Sequence, residues 1–248
     1  MEEKITILNN KGLKLSAVLH KPESSTDKIL ILSHGFKSSK DIDTILTNLA
    51  RILCDLGYVV LRYDMTGAGN SEGEFVNTTV SSQKDDLNSV IKYVRQQDYK
   101  EIGLGGLSQG TSVSLMNIDD NIKCLVLFSL AYDLNLLYLR YKDIFESSDV
   151  MDGVNHRTHE KIYVGKKMWQ EFGSIKLGKY ASKVKCPSLI ISGSDDSLFR
   201  PDQQINFARQ FPGIVEQKVI ENCDHDFIDP KNEKKAISYA IEFVKKYL

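Results

Sequence analysis

No apolar run in this 248-residue sequence is long enough to span a bilayer, no Cys-x-x-Cys pair occurs, and no internal repeat or low-complexity tract interrupts it. The first absence argues against stable membrane insertion, since a spanning helix needs about 20 consecutive apolar residues. Charge of one sign is also missing: 32 basic residues against 33 acidic ones leave a formal net charge of −1. Spread along the chain, this balance argues against nucleic acid or an anionic membrane as the main partner and favours a small neutral substrate. Cys54, Cys124, Cys186 and Cys223 are scattered and read as free, mostly buried thiols. No cluster has metal-ligand spacing, so neither a metal nor an organic cofactor is expected. The N-terminus, Met1-Glu2-Glu3-Lys4, is acidic and lacks an apolar h-region, which gives the expectation of a soluble cytoplasmic protein. The sequence carries no signal for the oligomeric state.

What is present is a regular alternation of strands and helices. Residues 4–8 and 13–20, separated by Asn9-Asn10-Lys11-Gly12, form a hairpin pattern. Short, continuously apolar runs follow at 29–33, 58–63, 102–105, 124–129, 188–192 and 217–221, as strands buried on both faces require. Between them, 42–56, 80–97 and 236–247 show helical spacing; in the second, Leu87, Val90, Ile91 and Val94 share one face. Asn77-Thr78-Thr79 fits a glycosylation pattern but reads as the loop and cap before that helix. Alternation of this kind implies a doubly wound α/β sheet. About fifty residues, 134–183, break the rhythm with helical pieces and no matching strand. They are expected to form a cap over the carboxyl ends of the strands, where ligands bind in open α/β folds. Ordinary crossover helices are the alternative. Trp169, Phe172 and Tyr163 fall in this stretch, where aromatic residues either line a pocket or, more commonly, anchor the cap to the core.

The strand at 102–105 runs straight into Gly106-Leu107-Ser108-Gln109-Gly110, a G-x-S-x-G pattern. Glycines two before and two after the serine allow a strand to turn sharply into a helix, leaving the Ser108 hydroxyl exposed at the turn. A serine hydroxyl is a weak nucleophile at neutral pH, so it needs a base, and the base needs a group that fixes its tautomer. His225 follows the last strand, in the final position of the order Ser, Asp, His. His20 lies in the hairpin, His34 follows an early strand, and His156 and His159 lie in the insertion, so His225 is the candidate base. Asp195 and Asp196 both follow the strand at 188–192, and either can orient an imidazole. Two backbone N–H groups are candidates for holding an oxyanion: that of Gln109, at the start of the helix after Ser108, and that of Phe36, in Ser33-His34-Gly35-Phe36.

Taken together, Ser33-His34-Gly35-Phe36, Arg62-Tyr63-Asp64-Met65-Thr66-Gly67-Ala68-Gly69-Asn70-Ser71-Glu72-Gly73, Gly106 to Gly110, Gly193-Ser194-Asp195-Asp196 and Asp224-His225 resemble the α/β-hydrolase fold. Within it the chain is similar to small bacterial carboxylesterases, including feruloyl (cinnamoyl) esterases. The resemblance implies a mostly parallel sheet with an N-terminal antiparallel hairpin; with the stretch that breaks the rhythm taken as an inserted cap, the core is residues 1–133 and 184–248 and the cap 134–183. It also implies that the acid is Asp196, three residues after the glycine ending its strand, with Pro201 a few residues on. The 64–73 stretch corresponds to a chiefly structural loop beside the nucleophile. Leu107 replaces a common His, Thr111 a common Gly, and the helix after Ser108 looks short. The insertion matches no assignable cap, so specificity for aromatic acids does not carry over.

The expected activity is hydrolysis of small carboxylic esters through an acyl-enzyme, with Ser108, His225 and Asp196 as the triad and Phe36 and Gln109 N–H groups as the oxyanion hole. The same groups serve amides and thioesters. An exopeptidase would use an acid such as Glu146, Asp149, Asp152 or Glu160 for a free amine, although acids on a cap usually form a solvated face. A non-catalytic ligand-binding protein is the reading from another class, against which the intact Ser, Asp and His argue.

Overall fold

The computed structural model describes residues 1–155 and 157–248; His156, assigned above to the insertion, lies outside them. In chain order the elements are β1 (Glu2–Leu8), β2 (Lys14–His20), β3 (Lys28–Ser33), α1 (Thr44–Asp55), β4 (Val59–Tyr63), a 3-10 turn (Phe75–Asn77), α2 (Val80–Arg95), β5 (Glu101–Leu107), α3 (Gln109–Met116) and β6 (Ile122–Phe128). Then come α4 (Asn135–Ser147), β7 (Val150–Val154), β8 (Lys161–Gly165), α5 (Lys166–Ser174), α6 (Gly178–Ala181), β9 (Ser188–Gly193), α7 (Pro201–Ala208), β10 (Val215–Ile220) and α8 (Pro230–Tyr247).

Eight strands form one sheet in the order β1-β2-β4-β3-β5-β6-β9-β10. β1 pairs antiparallel with β2, β2 antiparallel with β4, and every other neighbour is parallel. The inner strands are largely apolar at consecutive positions because both faces are covered, whereas the edge strands β1 and β10 are more polar and less buried. In β3, Ile29 and Ile31 pack under α2, while Leu30 and Leu32 pack under α1 and α8. Leu87, Val90, Ile91 and Val94 form the buried stripe of α2, and Thr79 caps that helix in a reciprocal pair with Ser82. The C-terminal helix begins earlier than its apolar spacing suggests. Pro230 occupies the first turn and the Asp229 carboxylate accepts from Lys231 N–H, so the polar first turn is fixed by capping chemistry.

Residues 134–183 hold a third apolar cluster. Trp169 and Phe172 are fully buried there; Trp169 stacks on Phe145 with ring centroids 4.6 Å apart and meets Phe172 edge-on at 5.3 Å. Tyr163 is half-exposed and takes no part in the cluster. Two of these elements were not apparent from the sequence. β7 and β8 pair antiparallel as a separate two-stranded ribbon, Val150 opposite Gly165 and Val154 opposite Lys161. Each is five residues long and contains a glycine, too short for alternation to be told from helical spacing. Among the described residues, no helix is long and apolar enough to cross a membrane.

Candidate active site

β5 ends at Leu107 and α3 starts at Gln109, so Ser108 alone makes the turn, at φ 52° and ψ −118°. A non-glycine residue adopts this backbone only when its surroundings impose it. Here the flanking glycines do so. A Cβ on Gly110 would lie 2.1 Å from the Ser33 carbonyl oxygen, and one on Gly106 would lie 2.7 Å from the Gly110 carbonyl carbon. The serine peptide is further held by Ser108 N–H donating to the Phe128 carbonyl at 2.9 Å. Thr111 contributes as well: its hydroxyl donates to the Ser108 carbonyl and accepts from Ala131 N–H. α3 is only eight residues long and buried along its whole length.

The loops after β9 and β10 bring the acid and the base to this turn. His225 Nε2 lies 2.8 Å from Ser108 Oγ, and His225 Nδ1 lies 2.7 Å from Asp196 Oδ2. An ionised carboxylate only accepts, so Nδ1 carries the proton and Nε2 is left to accept from the serine hydroxyl. The other oxygen of Asp196 accepts the N–H groups of Leu198, at 3.0 Å, and Phe199, at 2.8 Å, which fixes the carboxylate with 2 % of its residue surface exposed. Asp195 points to solvent, where it accepts from the Ser194 hydroxyl. Burial works against the His225 imidazolium, but the hydrogen bond and charge of Asp196, joined by the Asp226 and Asp224 carboxylates, hold its pKa above the ordinary histidine value.

Several supporting residues were not visible in the sequence. Ser129 donates its hydroxyl to the His225 carbonyl at 2.7 Å. Gln204, fully buried on α7, accepts from Leu130 N–H and the Ser192 hydroxyl and donates to the Phe199 carbonyl, tying β6, β9 and the acid loop together. Asp43 accepts from Gly35 N–H at 2.8 Å and from the Ser38 hydroxyl at 2.6 Å. A glutamine in a short helix and an aspartate before one carry no pattern that separates them from surface residues.

Phe36 follows Gly35, where an added Cβ would lie 3.8 Å from Ser108 Cβ, so the loop after β3 approaches the serine closely. His34 is buried behind it: Nδ1–H donates to the Gly35 carbonyl, and Nε2 accepts from Met65 N–H. Its ring is thus occupied in holding the loop. Among the described residues, neither Phe36 N–H nor Gln109 N–H is donated to a protein acceptor. The Gln109 side chain is buried and donates to Gln83, linking α3 to α2. In the 64–73 loop, the buried Asp64 accepts from Lys40 Nζ, Lys40 N–H and Asn70 N–H, and Gly69 passes over its carboxylate with φ +51°.

Ser108 and His225 open into a cleft of about 350 Å³, walled by Leu137, Tyr141, Ile144, Met151 and Leu198 and bordered by Phe36 and Asp152. A larger cavity of about 680 Å³ lies beside it, against the β7–β8 ribbon and the 67–69 loop. It shares Lys37 and Ser38 with the cleft but contains neither Ser108 nor His225, so the smaller space is the one where chemistry can occur. Three of the thiols are unsuited to nucleophilic work: burial raises Cys186 to about 11 and Cys223 to about 12, and raises Cys124 as well. Trp169 and Phe172 do not border the cleft, and Tyr163 borders only the larger cavity.

The family model described as serine aminopeptidase, S33 (Hydrolase 4) matches residues 24–173, more than half of the chain. An uncharacterized 31.7 kDa protein of the traX-finO intergenic region in Escherichia coli is 25% identical over 262 residues, covering 89% of this chain and 91% of that protein. Among solved structures, Est1E from Butyrivibrio proteoclasticus with ferulic acid bound matches with a TM-score of 0.82 at 21% identity, over 96% of this chain and 98% of that one. An esterase from Pyrococcus furiosus matches with a TM-score of 0.77 at 23% identity, over 100% and 91% of the two chains. At such identities these structures speak for the fold, whereas the family match covers the turn at Ser108 and the loop after β3 directly. The chain is an α/β-hydrolase and belongs to the serine aminopeptidase S33 family.

Proposed function

We propose that the protein is a serine carboxylesterase acting on small esters through an acyl-enzyme intermediate. The observation that carries this reading is the pair of short hydrogen bonds, 2.8 Å and 2.7 Å, that link Ser108 Oγ through His225 to Asp196 at the floor of a mostly apolar cleft. In the first half-reaction Ser108 Oγ attacks the ester carbonyl while Nε2 of His225 takes the hydroxyl proton. Asp196 stabilises the imidazolium, and the N–H groups of Phe36 and Gln109 receive the developing oxyanion, a contribution of about 3 kcal/mol per donor in such sites. His225 then protonates the leaving alkoxide. Water enters along the same path, loses its proton to Nε2 and releases the acid.

Residues 134–183 act in this reading as the cap, since Leu137, Tyr141, Ile144 and Met151 supply the apolar wall above the serine. A space of about 350 Å³ favours short to medium acyl groups. We assign the enzyme to the cytoplasm, where four free thiols are kept reduced. Aminopeptidase activity is the second reading, favoured by the family description and by Asp152 at the border of the cleft. Esters are preferred because Asp152 is an exposed residue at the border of the cleft, while the wall above the serine is Leu137, Tyr141, Ile144, Met151 and Leu198.

The test is turnover of p-nitrophenyl esters from acetate to decanoate, with methyl ferulate and aminoacyl p-nitroanilides alongside, by wild type and Ser108→Ala. Ester turnover that disappears in the variant supports the reading. Turnover of the anilides alone would replace it with the peptidase, and failure of a fluorophosphonate to label folded protein would remove catalysis by Ser108 altogether.

A further inference from the structure

Lys37 occupies the partition between the catalytic cleft and the larger cavity and borders both. It directly follows Phe36, and its backbone is held in the left-handed region at φ 56°, unusual for a residue with a side chain. Two contacts to the β7–β8 ribbon maintain that conformation. Asn155, itself buried, donates its side-chain amide to the Lys37 carbonyl, and the lysine stem runs over Gly153, where an added Cβ would meet Lys37 Cδ at 3.1 Å. The ammonium group ends in a half-buried position. Its one hydrogen bond is a long one, 3.4 Å to the Val154 carbonyl, and among the described residues it forms no ion pair. Burial lowers its pKa, with no carboxylate raising it again.

The acids around it are turned to other tasks. Asp43 is taken up by Gly35 and Ser38; Glu74 accepts from Asn77, and Glu160 accepts from Thr158. Asp152, next to Gly153 on the ribbon, is exposed and borders the catalytic cleft with Lys37, but among the described residues it forms no ion pair with it. The buried ammonium of Lys40 is paired with Asp64, whereas the partly buried Lys28 and Lys218 lie over the rings of Tyr58 and Tyr239. Lys37 has the Phe36 ring, 5.6 Å from Nζ, and no carboxylate, so a partly desolvated cation held in this way gains from an anion that joins it.

We propose that Lys37 is the counter-charge for an anionic group of the substrate, and that the larger cavity is a second subsite that receives it. The substrate class is an ester carrying a carboxylate several bonds from the scissile carbonyl, such as a half-ester of an aliphatic dicarboxylic acid. This inference rests on the esterase reading. The carbonyl oxygen bound at Phe36 N–H and the carboxylate bound at Lys37 Nζ would be read by consecutive residues of one loop, so the substrate spans the partition with its reactive carbonyl over Ser108.

The experiment measures kcat/KM for monomethyl esters from succinate to suberate against neutral methyl alkanoates of matched length, in wild type, Lys37→Met and Lys37→Arg. Wild type is expected to prefer the best carboxylate ester by about tenfold, the range of one charge-assisted hydrogen bond at a partly exposed site. Lys37→Met is expected to lower that preference ratio about tenfold, and Lys37→Arg to retain most of it. Free adipate is expected to inhibit wild type competitively and to inhibit Lys37→Met far more weakly. A wild type that turns over neutral esters without any carboxylate preference overturns this inference and leaves the esterase standing. A preference ratio unchanged in Lys37→Met overturns the role of the lysine. Absence of turnover for both ester classes overturns both readings.

Discussion

The floor and the roof of the cleft are built on different principles. The floor is made of strand ends: Ser108, Asp196 and His225 each hang from a strand of the central sheet, and each is fixed by backbone hydrogen bonds in addition to those it makes to the others. The roof is made of α4 and a two-stranded ribbon that pairs with nothing else in the sheet. It leaves Leu139, Ile144, Val150, Val154 and Tyr163 substantially exposed. Chemistry needs groups held to a fraction of an ångström, which the ends of paired strands supply. Selectivity needs a wall whose composition can vary without disturbing the sheet, and α4 with the ribbon, outside the central sheet, supplies that.

The largest effect expected in the floor is that of Ser108→Ala. Ester turnover should fall by about 10⁴-fold or more while the melting temperature stays close to wild type, because the change removes the nucleophile and leaves the turn intact. Retention of normal rates would remove the floor from the chemistry. Asp196→Asn comes next, with kcat expected to drop by about 10³-fold to 10⁴-fold, since an amide cannot hold the Nδ1–H tautomer as the carboxylate does. This substitution also sharpens the pH dependence. On the proposed esterase reading the base is neutral Nε2 of His225, and Asp196 favours the imidazolium, so kcat/KM should rise with pH through a limb centred above the ordinary histidine value. Removing the carboxylate should move that limb to lower pH; an unmoved limb would assign it to another group. The same raised pKa has a consequence for stability. His225 contributes stability that is present below its unfolded value of 6.5 and is lost as pH rises through its higher folded value.

In the roof the large effects are on packing. Trp169 is buried against Phe145, Tyr141 and Phe172, and Trp169→Ala should cost about 3–5 kcal/mol in a chemical denaturation experiment. If the loss were under about 1 kcal/mol, the aromatic cluster would not be what holds the cap down.

The same contrast explains what the sequence revealed and what it concealed. The G-x-S-x-G turn was legible because its glycines answer to a local steric demand, 2.1 Å from Gly110 to Ser33. The middle of the eight-stranded sheet was legible because burial on both faces makes its inner strands largely apolar, and the hairpin because of the turn residues 9–12 between its arms. Distinguishing Asp196 from Asp195 needed a family resemblance, since adjacent aspartates point in opposite directions for reasons set by the Leu198 and Phe199 amides. Gln204, Ser129 and Asp43 were not legible: their partners are backbone groups brought near only by the fold. The ribbon was concealed because five-residue strands with an interior or terminal glycine offer too little pattern. Lys37 reads as one more loop lysine until Gly153 and Asn155 are placed against it.

The smallest effect follows from Tyr163, on the same cap as Trp169 but half-exposed on β8 and outside the apolar cluster. Tyr163→Ala should change stability by no more than about 0.5 kcal/mol, because little surface is returned to water that was not already there. It borders only the larger cavity, so turnover of short neutral esters over Ser108 should change by less than about twofold. A loss of several kilocalories per mole would mean that the ribbon is bound to the core through its outward face as well as through Lys37 and Asn155. A large loss of short-ester turnover with stability preserved would mean that the two cavities work as one, and that the roof reaches the chemistry from farther away than its walls suggest.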